Sequence, residues 1–308
     1  MFTDTKVTTS TRLGFIGLGY LGSRIARRLA TAGFPLVVYN RDADKAKELA
    51  ALGAMVAPNA EALSEDVDVV LSCLANDEAV RSVYLGTGKV LENMRPGTRI
   101  VELSTVAPET SRRIHETARR LDISMLDVPV SGSTPSAEAG TLTLFGGGDR
   151  DVFESVETIF GAIASQWFYM GPSGSGAAMK LVVNALLGLG MQSIAEAVAL
   201  GSGLGLTRDL LLDALAKTAV VAPAHAGKLA SAKRNDYSPQ FPIRLMSKDF
   251  DLILTAAAKC ELSMPATEAA AAVNAAEASS GGEEDFSAVI RQMEQRRLEY
   301  EVANARTE

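Results

Sequence analysis

The chain has 308 residues, enough for two domains of roughly 100–200 residues each. Hydrophobic residues make up 47% and charged residues 22%, a balance that supports packed cores and excludes a disordered chain. A formal net charge of −7 argues against general nucleic-acid binding, which needs a basic surface, but still allows a phosphate held locally at a helix N-terminus.

The opening Met1 to Ser10 is polar and lacks the apolar core of a secretory signal, so the chain is expected to be soluble and cytoplasmic. Leu13–Gly17 reads as a buried strand, and Gly22–Ala32 as a helix with Ile25, Ala26 and Leu29 on one face. Between them stands Gly17-Leu18-Gly19-Tyr20-Leu21-Gly22, with G-x-G-x-x-G spacing. Among 26 glycines the spacing alone is weak, but a strand before and a helix after are what a dinucleotide fingerprint requires. In that role Gly17 permits the tight turn, Gly19 lets backbone approach a pyrophosphate, and Gly22 permits close helix–strand packing.

Leu36–Asn40 is a second strand and Ala43–Leu52 a second helix. The strand ends Tyr39-Asn40-Arg41-Asp42, where a carboxylate would accept from a ribose 2′-hydroxyl and an arginine would neutralise a 2′-phosphate. Asn40 stands in the carboxylate's place and Arg41 follows, which favours NADP over NAD. Asp42 keeps NAD possible through a small register shift; otherwise it caps the next helix.

Val67–Cys73, Arg99–Leu103 and Ser124–Asp127 are further strands, with a helix opening at Pro108. Strands alternating with helices imply a mostly parallel sheet covered on both faces. Near Gly171 the pattern changes. The breaker run 171–176 is followed by helical patterns only: one from about Ala177, then one opening at Thr207, one around Pro242–Cys260, one from Pro265 and one from Asp285. The expected fold is therefore α/β: a Rossmann doubly wound parallel sheet over 1–172, then an all-helical domain over 173–308 for substrate and dimerisation. The most membrane-like stretch, Leu181–Leu206, carries Asn184, Gln192, Glu196 and five glycines, and reads as a helix buried inside a protein. Cys73 and Cys260 read as buried free thiols. No Cys/His/Asp cluster has metal-ligand spacing, so no metal is expected, and His115 and His225 take no part.

Lys180 sits early in that apolar helix, where an unpaired ammonium would be costly, and Asn184 lies four residues on, on the same face. Such a lysine can serve as an acid/base if its pKa is brought toward neutrality; it can equally be a lysine snorkelling to solvent.

Two segments narrow the choice: Asp127-Val128-Pro129-Val130-Ser131-Gly132-Ser133, and Gly174-Ser175-Gly176-Ala177-Ala178-Met179-Lys180 leading into Asn184. Together with the fingerprint, Ser104-Thr105 and Lys248-Asp249, they make the chain resemble the β-hydroxyacid dehydrogenase family over nearly its whole length. The resemblance implies NAD(P)-dependent hydride transfer between a nicotinamide, NADP preferred, and a small 3-hydroxy acid or semialdehyde, with Lys180 as general acid/base. It implies that Ser131, Gly132, Ser133 and Asn184 hold a small carboxylic-acid substrate. The cofactor residues are then Gly17, Leu18, Gly19, Tyr20, Leu21, Asn40, Arg41, Leu74, Thr105 and Lys248. Where the family often has a second glycine this chain has Ser133, which narrows the pocket or adds a donor. A homodimer or homotetramer is expected by analogy, with no nucleic-acid or membrane partner. Imine reductases share the architecture but commonly replace the lysine. A 6-phosphogluconate dehydrogenase would be longer, with a histidine at Val183. A silent NADP-binding scaffold would be expected to lose Lys180.

Overall fold

The computed structural model describes residues 6–86 and 89–305; Met1–Thr5 of the polar start and residues 306–308 of the helical half lie outside the described residues. The chain divides into two compact units, Met1–Leu181 and Val182–Glu308.

Among the described residues the first unit is built on nine strands: β1 (Leu13–Ile16), β2 (Leu36–Tyr39), β3 (Met55–Val56), β4 (Val69–Ser72), β5 (Arg99–Glu102), β6 (Ser124–Asp127), β7 (Val130–Ser131), β8 (Leu142–Gly147) and β9 (Ala164–Gly171). Their order is β3-β2-β1-β4-β5-β6-β8-β7, with β9 paired to β8. From β3 to β6 every pairing is parallel; β8 runs antiparallel to β6 and β7. The winding reverses between β1 and β4, so the C-terminal ends of those strands form the crevice in which open α/β sheets bind ligands.

Successive residues of each central strand point to opposite faces, and each face has its own core. Phe15, Leu71, Val101 and Leu126 join one core, while Ile16, Val70, Ile100 and Met125 join the other. Burial on both faces is why these strands read as continuous apolar runs. The ring of Trp167 on β9 lies 6.2 Å from that of Phe160, and its indole N–H donates to Glu157.

The parallel sheet and helical second half follow the sequence reading; the rim does not. β3, β7, β8 and β9 were not anticipated. β8 ends in glycines, and β9 alternates half-buried Trp167 and Tyr169 with exposed Phe168, so neither offers an uninterrupted apolar run. The second helix begins as a 3₁₀ turn, Ala43–Ala46, before Lys47–Ala51, with Asp42 accepting the Asp44 N–H at its start.

The second unit holds the helices Arg208–Leu215, Pro223–Lys233, Ile243–Lys259, Pro265–Gly281 and Val289–Ala305. Pro223–Lys233 was not anticipated, since its alanines and glycine give no periodic apolar stripe. The boundary between the units falls inside the helix Ser175–Gly203, where the sequence reading divided the chain after residue 172. In the second unit, Gly188 of this helix lies against Phe250 and Met246, and Gly190 lies under the His225 ring. Half of its most apolar stretch is buried. Val182, Leu186 and Leu200 of this helix are exposed, so the expectation of a buried helix holds for one face only. Neither cysteine is in a disulfide, but Cys260 is exposed and Cys73 half-buried. Cys260 caps Ile243–Lys259 just before Glu261 turns the chain with φ 55°, which leaves the thiol in solvent.

Candidate active site

The fingerprint turn joins three strand ends. Gly17 has φ 97°, a conformation that favours glycine, and its N–H donates to the Tyr39 carbonyl at the end of β2. A side chain there would overlap the Cys73 carbonyl beyond β4, and one at Gly22 would overlap the Gly17 carbonyl. Each outer glycine therefore closes the turn. Gly19 differs: the space its Cβ would take is open to 4 Å. Backbone with no side chain, facing open space at the start of Gly22–Thr31, fits a pyrophosphate. Leu18 is buried and Tyr20 exposed, and Leu21 caps the helix.

Asn40 does not face outward as a substitute for the ribose carboxylate. Its Oδ1 accepts the Leu18 N–H at 2.9 Å and its Nδ2 donates to the Asp42 carbonyl at 3.0 Å, so its amide ties β2 to the fingerprint loop. Arg41 next to it is exposed.

Beyond β4 and β5 lies a buried polar network. The Glu102 carboxyl accepts the Ser104 N–H at 2.7 Å and the Ser72 hydroxyl, and Ser72 lies 2.6 Å from the Tyr84 hydroxyl. Ser104 Oγ accepts the Leu74 N–H at 2.7 Å, which joins the two loops that carry Leu74 and Thr105. Burial pushes the Glu102 carboxyl up to about 7 against the pull of these donors, and neighbouring Asp127 adds to the rise.

Asp127 ends β6 one strand over, paired in register with Glu102. Its Oδ1 accepts the Gly174 N–H at 2.7 Å and its Oδ2 the Ala177 N–H at 2.9 Å, both from the start of the helix bearing Lys180. Burial raises its pKa and these donors oppose the rise. Lys180 itself is buried, at 9% exposure. From Asp127 the chain passes through Pro129 to half-buried Ser131 on β7. Gly132 has φ 136°, and Ser133 is the extended cap of Thr134–Ala139.

In the second unit Asn184 is buried, and its Nδ2 donates to Asp249 Oδ2 at 2.5 Å. Its Oδ1 has no hydrogen-bond partner among the described residues. A carboxylate can only accept, so Asp249 fixes the amide with its oxygen turned away. Lys248 reaches Asp249 Oδ1 at 2.8 Å.

Sequence reasoning gave no role to Glu102, Asp127 or Asp249. Their signal was a carboxylate at the end of a buried apolar strand or on a helix's apolar face, which is costly unless it holds something.

Residues 12–171 match the family of the NAD-binding domain of 6-phosphogluconate dehydrogenase. Residues 174–293 match that of the NAD-binding of NADP-dependent 3-hydroxyisobutyrate dehydrogenase. The chain belongs to the β-hydroxyacid dehydrogenase family. This β-hydroxyacid dehydrogenase is 35% identical to glyoxylate/succinic semialdehyde reductase 1 of Arabidopsis thaliana, over 90% of its own length and 96% of the relative's. It is 36% identical to an NAD-dependent L-serine dehydrogenase of Pseudomonas aeruginosa, over 82% and 88%. Among solved structures, the 3-hydroxyisobutyrate dehydrogenase of Mycobacterium tuberculosis with L-serine is 30% identical, with a TM-score of 0.81 over 92% of this chain and 99% of that one. The β-hydroxyacid dehydrogenase is thus an oxidoreductase that binds a nicotinamide dinucleotide.

Proposed function

We propose that the chain is a cytoplasmic, NADP-preferring reductase or dehydrogenase of small 3-hydroxy acids and their semialdehydes, with Lys180 as general acid/base. The observation that carries this reading is a buried lysine, three residues past Ala177 in a first helical turn tied down by Asp127, in a chain whose fingerprint turn has the open backbone a pyrophosphate needs. An ammonium held in one place is a positioned proton donor, not a solvated surface charge.

The bound dinucleotide would supply the hydride in reduction and accept it in oxidation. Lys180 gives its proton to the carbonyl oxygen in reduction, and as the neutral amine takes it back in oxidation. The Ser131 hydroxyl and the backbone N–H groups of Gly132 and Ser133 hold the substrate carboxylate, and Asn184 accepts from a donor with its unpartnered oxygen. Backbone from Gly17 to Leu21 cradles the pyrophosphate, while Leu74, Thr105 and Lys248 serve the nicotinamide end. NADP preference is supported by exposed Arg41 and by the commitment of Asp42 to its helix cap.

The test follows oxidation of NADPH, and separately NADH, with glyoxylate, succinic semialdehyde and cyclic imines, and reduction of NADP with L-serine. Lys180→Met is expected to lower kcat by about 10²–10⁴. Turnover of cyclic imines alone, or a Lys180→Met variant as active as the parent, would overturn the reading.

A further inference from the structure

The helix that bears Lys180 is capped differently from others in its unit. Ala60–Ser64 and Asp77–Leu85 begin with their own asparagines: Asn59 accepts the Ala62 N–H at 2.7 Å, and Asn76 the Ala79 N–H at 2.9 Å. A local cap of this kind satisfies the free N–H groups of the first turn. Ser175–Gly203 instead takes its cap from Asp127, 47 residues before Gly174 and 50 before Ala177. A local side chain would have satisfied the same donors. Only an imported one also fastens the helix to the sheet.

The fastening is bidentate, so it sets the rotation of the first turn as well as its place. The backbones around it converge with no space for side chains. A Cβ on Gly176 would overlap the carbonyls of Asp127 and Phe145, and one on Gly147 would lie 2.8 Å from both Asp127 carboxylate oxygens and from the Gly176 nitrogen. Gly174 turns into the helix with φ 88°. The glycines before Lys180 thus bring the helix start within reach of Asp127. Lys180 is less than one turn beyond Ala177, and from Asp127 the main chain runs through Pro129, whose ring fixes φ, to Ser131.

We propose that Asp127 is a positioning residue for Lys180, anchoring the first turn of the lysine's helix to the strand end that also leads to Ser131. Both of its carboxylate oxygens are taken by main-chain N–H groups of that turn, so it acts through the lysine. The proposal rests on the reading of Lys180 as the acid/base.

The test compares full-length parent, Asp127→Asn and Lys180→Met with NADPH and glyoxylate or succinic semialdehyde. Asparagine keeps the size but replaces one acceptor with a donor facing an N–H. The expected result is a kcat lower by about 100-fold, the order for a reacting group misplaced by ~1 Å, with NADPH Kd within about twofold of the parent. The D2O effect on kcat should grow as the proton step becomes limiting. Amide exchange over residues 174–181 should rise while that of the fingerprint stays unchanged, a readout that needs no turnover. Unchanged exchange, a kcat like the parent's, or kcat and NADPH affinity falling together would each overturn the proposal. If Asp127→Asn does not fold, Gly176→Ala keeps the carboxylate but displaces the helix start, and carries the same comparison. An active Lys180→Met would remove the reading beneath the proposal; an inactive Lys180→Met beside a normal Asp127→Asn overturns the proposal alone.

Discussion

Asn40 uses both ends of its amide on the chain itself, and under the proposed NADP preference its exposed neighbour Arg41 meets the 2′-phosphate. A charged hydrogen bond to a 2′-phosphate is worth about 1.5–3 kcal/mol. Arg41→Ala is therefore expected to reduce the preference for NADPH over NADH by about 10–100-fold, read as the ratio of kcat/KM values. An unchanged ratio would assign the selection elsewhere. Glu102 makes a second prediction at this scale. The folded protein holds its proton up to about 7, whereas an unfolded chain releases it near the ordinary 4.5, so the folded state carries the extra proton between those values. Stability falls as pH rises through that window, by up to about 3 kcal/mol from this group. Glu102→Gln can still accept from the Ser104 N–H and donate to Ser72, and should lose that part of the slope. Urea midpoints of parent and variant at pH 5 and pH 7.5 check this, and parallel slopes would refute it. The sequence placed a polar residue at Asn40 and an acid at Glu102. It did not say what either would bond to, because one partner of each, Leu18 for Asn40 and Ser72 for Glu102, is distant in sequence.

At the scale of elements, five central strands were legible because burial on both faces leaves an unbroken apolar run, as in Leu13–Ile16 and Val69–Ser72. The rim strands were not, since β9 has a half-covered face and β8 ends in glycines. Helix starts marked by proline, at Pro108 and Pro265, were read where they occur. The start of Ser175–Gly203 was placed late, at Ala177, because its cap lies on another strand. Two helical glycines give opposite predictions. A methyl at Gly188 would overlap the Phe250 ring, so Gly188→Ala should cost about 1–3 kcal/mol despite better helix propensity. Gly227, in Pro223–Lys233, faces open space, and Gly227→Ala should stabilise by about 0.5–1 kcal/mol. Unfolding midpoints that moved in the same direction for both would contradict this packing account.

For the whole molecule, the switch from alternating strands and helices to helices alone was visible in the sequence. The exposure of Val182, Leu186 and Leu200 on Ser175–Gly203 was not, since composition cannot tell a helix covered all round from one covered on one side. Leu200, and Leu204 just past the helix end, are 64% and 73% exposed, and the homodimer or homotetramer expected by analogy would cover them. Light scattering is expected to give a multiple of the chain mass for the parent and a smaller assembly for Leu200→Glu/Leu204→Glu; equal masses would place the contact elsewhere. The position of Trp167 has a practical consequence. It is the single tryptophan, packed on Phe160 in the first unit, so intrinsic fluorescence follows the melting of the nucleotide-binding half, whereas far-ultraviolet circular dichroism follows the helices of both halves. Two optical traces from one heated sample therefore tell whether the halves come apart together or one after the other, with no probe attached.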